Sequence, residues 1–248
     1  MEAGIEEVST LESAAFASWP ALEGEEDQLG WRLRYGGGYT KRANSANSGA
    51  GAAALSDEQI DGIARRYRQR GLTPIFRLVS ATAPAATDAA LERQGYRYVD
   101  RSLVLSLPLT AAHAGDPPGL VEDAGEWLAA FTRASGGSAT QHDVHLAMLR
   151  RIEGRCAFAV ERRDGEPVCF ALGVLVDGRL GLFDVLTPEQ HRRQGLAAEL
   201  CSRLLAWGRA QGAHSAYLQV VAANAPAITL YEKLGFREAY HYWYRVAP

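Results

Sequence analysis

No apolar run in the chain reaches the roughly 18–20 residues that a helical membrane span needs. Cysteine is scarce: Cys156, Cys169 and Cys201 lie far apart and show no metal-ligand spacing. Three thiols cannot all pair within one chain, so they read as reduced core residues of a cytoplasmic protein that holds no metal. A strong charge of one sign is also missing. With 26 basic and 29 acidic residues, the formal net charge of -3 gives nucleic acid or an anionic membrane nothing global to bind. A basic stripe of the kind that nucleic-acid modules carry is absent. The acidic opening (Glu2, Glu6, Glu7) lacks the basic-then-apolar layout of a secretory signal.

What remains is an ordinary globular composition. At 248 residues and 47% hydrophobic, the chain has enough apolar material for one large domain or two small ones. The least structured stretch is Gly36–Ala54, rich in Gly, Ala, Ser and Asn. A second break, Leu107–Gly119, contains Pro108, Pro117 and Pro118. Between them the pattern predicts a helix over Asp57–Arg70, with Ser56 as N-cap and Gly71 beyond its end. A strand Pro74–Val79, a helix Thr87–Gln94 and a strand Tyr98–Ser106 follow. After the second break come helices at Gly125–Ala134 and Gln141–Arg151. Strands Cys156–Arg162, Pro167–Val176 and Leu180–Leu186 are joined by Asp-Gly turns at 164–165 and 177–178. A basic loop leads to a helix Gly195–Gln211, a strand Ala216–Val221, a helix Ala225–Leu234 and a last strand Ala239–Val246.

The two parts share an order of elements. Tyr67-Arg-Gln-Arg-Gly71 stands beside Gly208-Arg-Ala-Gln-Gly212, and a strand follows each glycine. Leu91-Glu-Arg-Gln-Gly95-Tyr96 stands beside Tyr231-Glu-Lys-Leu-Gly235-Phe236. This reads as a diverged internal duplication: residues 1–107, a linker at 108–119, and residues 120–248.

The segment that carries chemistry is Leu186-Thr-Pro-Glu-Gln-His-Arg-Arg-Gln-Gly-Leu-Ala197. A strand ends, Pro188 forbids its continuation, and a helix opens near Gly195. The first amides of a helix lack partners within it, and the helix dipole adds positive charge there. Such an end suits a pyrophosphate. Gly195 lets the backbone approach closely, while His191, Arg192 and Arg193 add cations. A basic loop before a helix is also common as plain solvated surface.

Arg192-Arg-Gln-Gly195-Leu-Ala197 resembles the pyrophosphate signature of the GNAT superfamily of acetyl-CoA-dependent N-acetyltransferases, Arg/Gln-x-x-Gly-x-Gly/Ala. Downstream, Asn224, Ala227 and Tyr231 resemble that family's Asn-x-x-Ala-x-x-x-Tyr segment, and Tyr231 to Phe236 its closing Tyr-x-x-x-Gly-Phe. The likeness covers roughly Trp127 to the C-terminal residues and is sharpest over Phe183–Phe236.

The resemblance implies an α/β fold with a mixed sheet, two tandem GNAT-like halves, and a splayed central sheet in the second. It implies acetyl transfer from acetyl-CoA to a primary amine by direct attack in a ternary complex. Val185 and Leu186 would lie nearest the pantetheine arm, one of them giving a backbone donor to the oxyanion. Backbone groups of Arg192, Arg193, Gln194, Gly195, Leu196, Ala197 and Ala198 would hold the pyrophosphate. Asn224 would hydrogen-bond the pantetheine region, besides capping the helix that follows. Tyr231 would protonate the departing thiolate. A lysine-like amine costs about 4–5 kcal/mol to deprotonate at pH 7, so a base helps it more than an α-amine.

Other residues keep two readings. Asp184 either assists or binds the amine, or is simply solvated or ion-paired. Glu161 is a further carboxylate near a strand end. Tyr240, Tyr242 and Tyr244 alternate onto one face as sheet packing. The first half departs where it matters: Leu91 stands in the place of Tyr231, and Gly49-Ala-Gly-Ala52 has no basic flank. It is expected to be non-catalytic and to shape the acceptor pocket, with Trp31, Arg32, Arg42 and Asn44 as lining residues. The acceptor stays open between a small molecule and a protein N-terminus. A non-catalytic acyl-CoA-binding regulator and a transferase of longer acyl groups are the competing readings.

Overall fold

The computed structural model describes residues 3–248; Met1 and Glu2 lie outside the described residues, as do the side chains of residues 25–28. The first part holds α1 (Ile5–Ser18), β1 (Glu23–Gln28), β2 (Trp31–Tyr35), β3 (Ala46–Ser48), α2 (Asp57–Gln69), β4 (Ile75–Val79), α3 (Ala85–Arg93) and β5 (Arg97–Pro108). The second holds β6 (Leu120–Val121), α4 (Ala124–Ser135), α5 (Ala139–Leu149), β7 (Arg155–Arg163), β8 (Glu166–Val176) and β9 (Arg179–Leu186). It ends with α6 (Leu196–Ala210), β10 (Ser215–Val221), α7 (Ala225–Lys233) and β11 (Arg237–Val246).

Local chemistry explains most boundaries. Ser56 and Gln59 close a reciprocal capping box at the start of α2. Asp123 caps α4, and Gly136 ends it in the left-handed region at φ 71°. Both Asp-Gly turns have positive φ at each residue, 51° and 85° at 164–165, 46° and 71° at 177–178. That backbone matches the twist of a two-residue hairpin.

The strands form one mixed sheet in the order β1-β2-β3-β4-β11-β5-β10-β9-β8-β7-β6. Its centre interleaves the two parts. β11 lies between β4 and β5, antiparallel to both, and β5 lies between β11 and β10. Each part thus lends its last strand to the other. The order α2-β4-α3-β5 in the first part is repeated as α6-β10-α7-β11 in the second.

Gly36–Ala54, expected to be the least ordered stretch, is largely buried over residues 43–48 and contains β3. Side-chain hydrogen bonds do there what a regular ladder does elsewhere. Asn44 Oδ1 accepts from the Gly36 and Gly38 amides at 2.9 and 2.8 Å, and its Nδ2 donates to the Thr40 carbonyl at 2.8 Å.

Helix α1 belongs to the first part by sequence but packs across β8 and β9 of the second. Val8, Leu11, Ala14 and Ala15 join a core with Phe170, Phe183, Tyr217 and Tyr240. Tyr240, Tyr242 and Tyr244 do share this face, all buried. α6 covers the opposite face, against Leu180, Leu182 and Leu218. Within the α1 layer, Glu12 receives both Arg77 Nη groups and the Tyr240 hydroxyl. Burial alone would raise the Glu12 carboxyl; the Arg77 charge and these hydrogen bonds hold it below its ordinary value.

Candidate active site

β9 and β10 run parallel and pair from Arg179/Ser215 to Leu182/Leu218, and there the pairing stops. β9 continues to Leu186 and β10 to Val221 without each other. This is the splay the sequence resemblance implied. Past it, Pro188 and a short 3₁₀ turn over Glu189–His191 lead to α6.

The α6 N-terminus has no side-chain cap. Its cap residue, Gly195, has φ 81°, and Arg193 also has positive φ, at 61°. The Gly195 conformation is one that a Cβ strains, which is the physical reason for glycine here. The first amides of α6 point outward unpaired, beside exposed Arg192, Arg193 and Gln194. Leu196 turns inward into the core, with Ala197 and Ala198 part-buried after it. Arg163 donates to Gln194 Oε1 at 2.5 Å, and Arg192 Nε to the Thr187 carbonyl at 3.2 Å. These contacts hold the loop across the end of β9.

Asn224 Oδ1 accepts from the Ala227 amide at 3.3 Å and caps α7. Tyr231, one helical face further on, is buried against Phe236 at 6.0 Å between ring centres. Burial raises its phenol, and the nearby thiols Cys201 and Cys169 raise it further. The Tyr231 hydroxyl makes no hydrogen bond among the described residues.

Asp184 sits at an irregularity. Phe170 of β8 pairs with Leu186, but Leu172 pairs with Phe183, so β9 carries one extra residue. Asp184 takes φ 50° at this bulge. A bulge breaks side-chain alternation. Phe183 and Asp184 therefore both face α1 and α5, while Val185 faces α6 and Leu186 returns to the α1 side.

That bulge aims Asp184 at a residue the sequence did not single out. His145 of α5 is 2% exposed, and its Nε2 lies 3.0 Å from Asp184 Oδ2. His145 Nδ1 meets the Tyr39 hydroxyl at 3.0 Å. Trp19 stacks on Phe183 at 5.6 Å and lies 5.2 Å from the His145 ring. Burial, then the Asp184 charge, pushes the Tyr39 phenol up to about 12. Tyr39 and Trp19 come from the first part, 106 and more residues away in sequence, which is why spacing could not reveal them.

The remaining candidates separate. Arg42 reaches this face, 5.9 Å from the Trp19 ring and 5.8 Å from the Phe183 ring. Asn44 instead ties the loop that carries Tyr39 and Arg42. Trp31 is buried in the first part's own core, donating to the Ala53 carbonyl. Arg32 lines a separate small cavity with Glu12 and Asn47. Glu161 pairs with Arg203 at 3.4 Å on the α6 side. Cys156, Cys169 and Cys201 are free thiols, raised by burial. Among the described residues no helix is long and apolar enough to cross a membrane.

A family model described as "Probable histone acetyltransferase Rv0428c C-terminal" matches residues 6–245. The chain is 28% identical to "Uncharacterized N-acetyltransferase YobR" of Bacillus subtilis (strain 168), over 98% of this chain and 99% of that protein. It is 36% identical over 77 residues to the ribosomal protein bS18-alanine N-acetyltransferase of Escherichia coli (strain K12), which is 31% of this chain and 52% of that one. Among solved structures, the GCN5-related N-acetyltransferase from Kribbella flavida superposes with a TM-score of 0.68 at 19% identity, covering 97% of this chain and 95% of its own.

Proposed function

From the premise that the chain belongs to this acetyltransferase family and is an acyltransferase of the GNAT kind, we propose that it moves the acetyl group of acetyl-CoA onto a primary amine by direct attack in a ternary complex. The observation that carries the reading is the open splay beyond Leu182 and Leu218, ending at the uncapped start of α6. The unpaired amides at Gly195–Ala198 suit a pyrophosphate in charge and in geometry. The strand backbone at Val185 and Leu186, with no β10 ladder beyond it, suits a pantetheine arm, and Asn224 flanks the opposite lip of the splay. When bound, acetyl-CoA supplies an activated acetyl group whose C–S bond is exchanged for a C–N bond.

The chain's own residues handle the protons. Asp184 takes the proton of the incoming ammonium, and His145 keeps its carboxylate oriented. A backbone N–H at Val185 or Leu186 holds the developing oxyanion. Tyr231 gives its proton to the departing sulfur. Its raised phenol keeps that proton available across the neutral range.

The tandem arrangement follows from the same reading. We take residues 1–107 as a GNAT-like half without catalysis, 108–119 as the linker, and 120–248 as the catalytic half. The first half contributes α1, Trp19, Tyr39 and Arg42 to the acceptor side. The test is calorimetric titration with acetyl-CoA, followed by release of CoA thiol with an amine panel. Tight acetyl-CoA binding with no transfer to any amine sinks catalysis and leaves an acyl-CoA-binding regulator. Competition among acyl-CoAs of different length tests the donor.

A further inference from the structure

We propose that the acceptor is a small molecule carrying both an amine and a carboxylate, the carboxylate received by Arg42 and Gln219 and the amine by Asp184. The proposal rests on the acetyl-transfer reading and deepens it by naming the substrate class.

Elsewhere the chain matches its buried cations. Arg77 is matched by Glu12, and Arg245 by Asp88 at 2.8 and 3.1 Å. Arg34 donates to the main-chain carbonyls of Trp19 and Arg42. Arg42 differs. Among the described residues its guanidinium has no hydrogen bond or ion pair, although its Nε is sealed from solvent. A sealed charged donor without a partner is costly, on the order of 1–3 kcal/mol or more. Its neighbours are the Trp19 and Phe183 rings, and rings offer a slot rather than a counter-charge.

A second unsatisfied donor lies on the same face. Gln219, on β10 beyond the last β9 pair, accepts the Tyr242 hydroxyl at its Oε1 at 3.0 Å. That leaves Gln219 Nε2 buried with no partner. Arg42 lies 5.8 Å from the Phe183 ring, which meets the Tyr217 ring edge-on at 6.2 Å, and Gln219 follows Tyr217 by two residues on the same face of β10. Both donors therefore border the Phe183–Tyr217 pair.

The same face carries an acceptor. Asp184 follows Phe183 directly, and the bulge turns both toward the same side. Asp184 Oδ2, like His145 Nε2, has no in-line hydrogen bond to satisfy it. The site thus presents a cation, an amide N–H₂ and a carboxylate around the Phe183–Tyr217 pair. Its complement is a molecule with an anionic end and a cationic end. A guanidinium fork matches a planar carboxylate with two parallel hydrogen bonds. A polypeptide N-terminus follows its amine with a neutral amide and leaves Arg42 unmatched.

The test compares the twenty common amino acids, β-alanine and γ-aminobutyrate with their carboxamides and with an alanine-led tetrapeptide amide. Two readouts are taken on the whole protein: acetylation in the presence of acetyl-CoA, and calorimetric binding in the presence of CoA. At least one amino-carboxylate is expected to exceed its carboxamide by roughly 10- to 100-fold in kcat/KM and in affinity. Arg42→Gln should remove that preference mainly through KM for the amine, with KM for acetyl-CoA unchanged; Arg42→Lys should restore part of it. Carboxamides or the tetrapeptide performing as well as the free acids overturns the proposal, as does a panel in which no amino-carboxylate binds. Preferential binding through Arg42 without acetylation supports the amino-carboxylate as the ligand class of this site and sinks the acetyl-transfer reading instead.

Discussion

Helices α2 and α6 connect corresponding parallel strand pairs, β3/β4 and β9/β10, yet their first turns are built for opposite ends. At α2, Ser56 and Gln59 consume the free amides, and Asp57 and Glu58 set negative charge there. At α6, no side chain caps the amides, and Arg192 and Arg193 stand before them. The strand gaps differ likewise. In the first half Ser48 staples the gap: its Oγ accepts the Val79 amide at 3.0 Å, and its carbonyl accepts the Thr82 hydroxyl at 3.2 Å. In the second half, β9 and β10 simply part after Leu182 and Leu218. One scaffold therefore yields a stapled gap or an unstapled one according to a few side chains at the strand and helix ends.

The largest contrast between the two halves is expected at corresponding positions of α3 and α7. Tyr231→Phe should lower kcat by ~10²–10⁴-fold while leaving acetyl-CoA affinity nearly unchanged. Leu91→Ala, in the buried place that Leu91 holds in the first half, should leave kcat intact and cost about 2–5 kcal/mol in denaturant unfolding. A Phe variant at full rate ends the assignment of Tyr231 as the acid. The pH profile adds to it. An acid works while protonated, and burial moves the Tyr231 phenol upward. The rate should therefore show no alkaline loss from this group through its ordinary value of 10.0.

Next in size is the joint between the halves. Glu12→Ala strands Arg77 and should cost about 3–5 kcal/mol. The carboxyl is depressed when folded, so its contribution is complete above its ordinary 4.5 and is lost as pH falls below it. Acid unfolding of the native protein against Glu12→Gln measures that loss. Smaller again are the glycines with positive φ. Gly195→Ala should strain the loop by about 1–2 kcal/mol, weakening acetyl-CoA roughly 5–30-fold by calorimetry. Gly71→Ala, at φ 68° after α2, should alter stability alone. The smallest effect is expected from Ser56→Ala, about 1 kcal/mol in thermal unfolding with acetyl-CoA affinity unmoved. Affinity that shifts there would mean the first gap is not closed.

Much of the second half was legible because its signals are local. Asp-Gly turns mark the hairpins, and Pro188 with Gly195 frames the loop. The first 50 residues were harder to read. β3 is only Ala46-Asn-Ser48, too short and polar for alternation to mark it. Helix α1 did leave a trace, since Val8, Leu11, Ala15 and Ser18 fall on one face at helical spacing. His145 looks like any helix residue until the Asp184 bulge is placed beside it. The register shift that makes the bulge depends on pairing with β8, and no single-strand pattern reveals it. Strand exchange at the sheet centre is likewise a fact about partners, invisible in any one segment.

That exchange has a consequence for how the chain comes to be folded. The slot between β4 and β5 is filled by β11, which starts at residue 237, long after β5 ends at 108. At ~5–20 residues per second, synthesis leaves that slot without its strand for on the order of ten seconds. During that interval two strand borders lie unmatched on the nascent chain, and such borders recruit foreign strands. The first part of the sheet is therefore most exposed to misassembly while the chain is still on the ribosome.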